Sequence, residues 1–61
     1  MHKKVLFGIP FETDEMAGVI DFKIGSMYRI MGCDGVSYIV RKEEIVRNMS
    51  DDEYLLFALE I

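Results

Sequence analysis

The stretch YRIMGCDGVSYIV, Tyr28 to Val40, sets two apolar runs on either side of Cys33-Asp34-Gly35. It reads as a β-hairpin, and the length of its loop decides which side chains point inward. A two-residue loop at Asp34-Gly35 pairs Cys33 with Val36 and Arg29 with Val40, so each face mixes polar and apolar groups. A three-residue loop, Cys33-Asp34-Gly35, pairs Gly32 with Val36, Ile30 with Tyr38 and Tyr28 with Val40. One face then carries Tyr28, Ile30, Val36, Tyr38 and Val40. The other carries Met27, Arg29, Met31, Ser37, Ile39 and Arg41. A slip of one residue exchanges the faces, so the cleaner partition wins. Three-residue loops commonly place a left-handed residue last, where Gly35 stands. The sequence predicts the three-residue loop.

Upstream, VLFGI (Val5 to Ile9) is an unbroken apolar run closed by Pro10, and reads as a short strand buried on both faces. Pro10 cannot donate to a ladder, so the strand ends there or lies at an edge. ETDEMAG, Glu12 to Gly18, reads as an acidic connection. VIDF, Val19 to Phe22, resumes strand composition with Asp21 facing out, and Gly25 in KIGS marks a turn or bulge.

Downstream, RKEEIVRNM leaves the hairpin through a charged corner, continuing either as a turn plus a short strand at Ile45 to Arg47 or as one helical turn. SDDE, Ser50 to Glu53, has the form of a capping box. In YLLFALEI the Leu and Ala favour helix. Yet Leu55, Phe57, Leu59 and Ile61 alternate with Tyr54, Leu56, Ala58 and Glu60, as a closing strand would. A short helical turn at Ser50 to Glu53 followed by a strand reconciles the two signals. The expected architecture is one mainly-β domain over residues 1–61, built around the hairpin Met27 to Arg41. The alternative is α+β, with a C-terminal helix on a small sheet.

The succession IGSMYRI, CDG, VSYIV and KEE resembles small SH3-like β-barrels, particularly the short orphan versions common among phage proteins. The resemblance covers about the middle half of the chain and implies an SH3-like, partly open barrel. Such a fold carries no single function. The aromatics and acidic loop of peptide-binding SH3 domains have no convincing counterpart, since the chain has no Trp and no Tyr pair after an ALYDY-like entry. Proline-peptide binding is therefore not implied. The phage setting suggests an inhibitor or modulator of a host protein.

Composition narrows the classes. Half of the 61 residues are apolar, and the net charge is −4 with scattered basic residues. Nucleic-acid binding needs clustered Lys and Arg, and anionic membranes need the same, so neither partner is expected. The single cysteine cannot form an internal disulfide, which points to a reducing compartment. The apolar run after Lys3-Lys4 is too short for a signal peptide, and no stretch approaches the ~20 apolar residues of a membrane span. A soluble cytoplasmic protein is expected.

No phosphate loop or nucleotide fingerprint is present. His2 and Cys33 are the only soft ligands, too few for a zinc site. Ser26, Ser37, Ser50 and Cys33 have no imidazole partner but His2, so no catalytic residue, metal or cofactor is expected. The acidic clusters Glu12-Asp14-Glu15 and Asp51-Asp52-Glu53 lack the ligand alternation of a calcium loop. They read as a solvated loop and a helix start; DNA mimicry asks for a more acidic chain. The most informative feature is the face of Met27, Arg29, Met31, Ile39 and Arg41. Methionine and arginine are enriched in interface cores. This face is the expected binding site for another protein or for a second copy of the chain. A second possibility is an oligomeric binder of a small anionic ligand such as a nucleotide, held by Arg29, Arg41 and tyrosines. It requires several copies, because one small barrel cannot enclose a pocket of ~300 Å³.

Overall fold

The computed structural model describes residues 3–60. In the first strand, β1 (Lys4–Gly8), Val5 and Phe7 are buried while Lys4, Leu6 and Gly8 are half-buried. Its unbroken apolar run thus has one fully buried face and not two. Residues 9–14, Pro10 among them, form the loop that follows β1. β2 (Glu15–Ile24) begins inside the segment expected to be a connection. Met16 pairs with Phe7 and Ala17 with Leu6, and burying them outweighs the weak strand preference of the acidic run. Next come β3 (Met27–Gly32), β4 (Ser37–Arg41), a 3₁₀ turn (Lys42–Glu44), β5 (Ile45–Asn48) and helix α1 (Asp51–Leu59). All strand pairs are antiparallel, in the order β4-β3-β2-β1-β5.

The β3–β4 hairpin has the three-residue register, with Ile30 opposite Tyr38 and Tyr28 opposite Val40. Gly32 N–H donates to the Val36 carbonyl at 2.8 Å, and Gly35 N–H donates to the Gly32 carbonyl at 2.9 Å. Gly35 has φ +85°, which a residue with a Cβ adopts only at a cost. The Asp34 carboxylate accepts from Val36 N–H at 3.1 Å and from the Tyr38 hydroxyl at 2.7 Å. Ile30 and Val40 are fully buried, and Tyr28 and Tyr38 half-buried. Val36, expected on the same inner face, is exposed. The Asp34 carboxylate and the Tyr38 ring fill the space over Gly32, whose N–H bonds the Val36 carbonyl.

The sheet curls. Phe7 on β1 and Tyr38 on β4 have ring centroids 5.2 Å apart, although β2 and β3 lie between them. A flat sheet would hold those strands about 14 Å apart. The curl encloses Val5, Phe7, Ile30 and Val40, with Met16, Ile20, Tyr28, Tyr38 and Ile45 packed around them. One open, curled sheet of this kind is compatible with a small, partly open barrel.

The C-terminal segment corrects the expected turn plus strand: residues 51–59 are one helix. Ser50 Oγ accepts from Glu53 N–H at 3.2 Å, and the Glu53 carboxylate accepts from Ser50 N–H at 3.1 Å. This reciprocal cap satisfies two donors that a strand would leave to water. Tyr54, Phe57 and Ala58 are half-buried, at the spacing of one helical stripe. The alternation of Leu55, Phe57 and Leu59 was incidental to a run that is apolar almost throughout; Ile61 lies outside the described residues. The helix contacts β1 and β2. Asp51 pairs with Lys4 Nζ at 3.2 Å, the same ammonium lies 5.7 Å from the Tyr54 ring, and Glu53 pairs with Arg47 at 2.8 Å. Lys4 alternates with Val5, so the helix covers the side of the sheet opposite the core, where Ala17 is fully buried.

A Cβ at position 18 would stand 2.5 Å from Ile30 Cγ2 and 2.8 Å from the Met31 carbonyl. Gly18→Ala should therefore lower stability by about 1–3 kcal/mol in urea denaturation, by overpacking against backbone. The Tyr38 hydroxyl holds the Asp34 carboxyl below its ordinary pKa, with Val36 N–H assisting. Since folding lowers that pKa, the contact contributes above the ordinary carboxylate range and fades as pH falls through the lowered value. Tyr38→Phe should move the Asp34 midpoint upward in an NMR titration.

Candidate functional site

The face opposite the core carries the five expected residues together. Met27, Arg29 and Met31 come from β3, and Ile39 and Arg41 from β4; Met27 lies across from Arg41, Arg29 from Ile39, and Met31 from Ser37. Alternation places them here because Tyr28, Ile30, Tyr38 and Val40 take the inner positions. Ile39 is 49% exposed and Met31 37%, Arg41 is exposed, and Met27 and Arg29 are half-buried.

Two further residues join this face through an irregularity that alternation does not anticipate. Ile20 pairs with Ile30, but the next pair is Phe22 with Arg29, so Asp21 has no partner and forms a bulge. Beyond it Phe22 and Ile24 share the face of Arg29 and Met27, where strict alternation from the inner Ile20 would have turned them toward the core. Phe22 and Ile24 are about half exposed. The Arg29 guanidinium lies 5.3 Å from the Phe22 ring centroid, and its Nε is 3.7 Å from Asp21 Oδ2. The hint in the sequence was the lone acid inside VIDF. The turn or bulge expected at Gly25 is the two-residue β2–β3 turn that Gly25, at φ +58°, makes with Ser26.

At the end of the same face, Met27, Ile39 and Arg41 line a groove of about 530 Å³ with Pro10, Phe11, Glu43 and Glu44. Phe11 is fully exposed and has φ +66°. It sits third in a turn closed by Glu12 N–H donating to the Ile9 carbonyl at 3.1 Å. Pro10 presets the second position of such a turn, and the third asks for glycine or asparagine. A phenylalanine there costs about 1–2 kcal/mol of backbone strain and buries nothing in return. The sequence reading missed it, although a Pro-aromatic pair after a strand was visible. Arg41 N–H donates to Glu44 Oε1 at 2.8 Å. Among the described residues the Arg41 guanidinium makes no ion pair.

The remaining chemistry is sparse. Cys33 Sγ lies 3.5 Å from Met16 Sδ, and burial, followed by the Asp34 carboxylate, pushes its pKa up, so it is a neutral thiol at pH 7. No cluster of three or more ligating side chains forms among the described residues; His2 lies outside them. No described helix is long and apolar enough to cross a membrane.

Because the Phe11 side chain touches nothing it could lose, Phe11→Gly should leave stability unchanged or raise it by up to about 1 kcal/mol, relief of strain offsetting added chain entropy. A clear drop in the urea midpoint would show that the ring packs within the single chain. Comparison with known protein families, curated proteins and solved structures finds no match for this chain.

Proposed function

We propose that this chain is a non-enzymatic protein-interaction module of the small SH3-like kind, acting in the cytoplasm. Its site is the face of Met27, Arg29, Met31, Ile39 and Arg41, extended by Phe22 and Ile24. One observation carries the reading: that apolar, arginine-bearing surface stays open while the core on the other side is complete. Adaptable thioethers beside guanidinium groups suit a protein surface. The strand order, with a 3₁₀ turn before the last strand, supports the SH3-like assignment. The resemblance to phage-type domains makes inhibition or modulation of a host protein the specific form of the role. A small anion fits less well, because Glu43 and Glu44 set two carboxylates beside Arg41 in the groove.

Immobilised chain carrying Arg29→Glu and Arg41→Glu should lose at least tenfold of any protein that the unaltered chain retains from a lysate. A control substitution on the other sheet face, Lys23→Glu, should retain it, and all three chains should share one circular dichroism spectrum. Undiminished retention by the double variant overturns the assignment.

A further inference from the structure

Although the chain is acidic, it gathers cations on the core side of its sheet. The β1–β2 ladder extends one residue to Lys3, whose carbonyl accepts from Ile20 N–H at 2.8 Å. Lys4 faces the helix through Asp51, so alternation turns Lys3 to the side of Val5. There Lys3 and Lys42, from the 3₁₀ turn, border a cavity of about 380 Å³ between β5 and the inner faces of β2 and β3. It is the open mouth of the curl. Its floor is apolar: Ile20, Tyr28 and Ile45 pack around the core yet stay half-buried.

Eleven Asp and Glu outnumber seven Lys and Arg in the chain, but no described acid lines this mouth. Glu43 and Glu44, next to Lys42, line the groove on the other face. Arg47 also borders the mouth, with its guanidinium paired to Glu53 at 2.8 Å. Among the described residues Lys3 and Lys42 form no ion pair. Two ammonium groups therefore flank an apolar floor with no carboxylate to balance them. Lys3, Ile20 and Tyr28 also border an adjoining cavity, where Lys23 Nζ lies 5.7 Å from the Tyr28 ring centroid. The acid of that cavity, Asp21, is 3.7 Å from Arg29 Nε.

We propose that this mouth binds a small phosphate monoester with an aromatic body. The ring lies against Ile20, Tyr28 and Ile45, and the phosphate meets Lys3 and Lys42. Charge selects the head group. A phosphate monoester carries about −1.5 to −2 at pH 7, which matches two unpaired ammonium groups, whereas a carboxylate matches one. Lysine suits the task as a compact cation with three donors on a flexible stem. The Tyr28 ring selects the body, because aromatic rings pair by offset stacking or edge to face. The volume lies at the small end of the range for ligand pockets, so it suits a single ring system. One copy of the chain suffices, since the mouth is open and the phosphate keeps part of its hydration. The site is on the sheet face opposite Arg29 and Arg41, and it stands or falls independently of the proposed interaction face.

The test is an NMR titration of the labelled chain with phenyl phosphate, followed through the amide shifts. The shifts should saturate and concentrate at Lys3, Ile20, Tyr28 and Ile45, leaving Met31 and Ile39 in place. Inorganic phosphate, which has no body, and benzoate, which has one charge, should each bind at least tenfold more weakly. Lys3→Gln with Lys42→Gln should weaken phenyl phosphate binding at least tenfold; both lysines are exposed, so that variant keeps its fold. Arg41→Gln removes one charge from the other face and should leave binding unchanged. Absence of saturable shifts at about 10 mM, where a site with a Kd of about 1 mM is mostly filled, overturns the proposal. So does benzoate or inorganic phosphate binding as tightly as phenyl phosphate, or a loss on Arg41→Gln equal to that of the lysine pair.

Discussion

The absence of a side chain at Gly18 allows this sheet to close on itself. Gly18 pairs with Val5 on one side and Gly32 on the other, and Phe7 Cε1 and Ile30 Cγ2 come together over it. Those contacts let the Phe7 ring reach Tyr38 across two intervening strands. With so few residues, the inner face must be covered by the sheet's own far end. Curvature thus takes the place of a second layer, which a chain of this length has little sequence to supply.

Curvature also divides the surface. A nine-residue helix is about 13 Å long, whereas five strands side by side span about 19 Å. α1 can cover only part of the outer face, and its contacts are with β1 and β2. The outer side of β3 and β4 is left open. The Asp21 bulge then adds Phe22 and Ile24 to that open side. The helix itself leaves Leu55, Leu56 and Leu59 exposed, since only its Tyr54, Phe57 and Ala58 stripe meets the sheet.

Strain and exposure coincide at one end of the open face. Phe11 stands fully exposed in a left-handed conformation beside Met27, Ile39 and Arg41. Neither the strain nor the exposure is explained by the stability of the single chain, and both suit the interaction face proposed above. The edge strand β4 borders the same region.

Features set by neighbours in the chain were legible in the sequence. The CDG loop, the inner and outer sets of the hairpin and the Ser50–Glu53 cap each depend on residues a few positions apart, and so did the five outer residues of the site. Other features depend on what lies across the sheet, and only the tertiary structure decided them. The acidic run 12–18 gives half its length to β2 because Phe7 and Leu6 wait opposite. Asp21 bulges because two residues meet one on β3, which turns Phe22 and Ile24 outward. Val36 is exposed, and Asp34 and Tyr38 occupy the room above Gly32. The last segment is helical because β5 already holds the outer edge of β1 and the cap supplies the local bonds. A period of two or of 3.6 is written into the chain, but where it is interrupted depends on contacts that form only on closure.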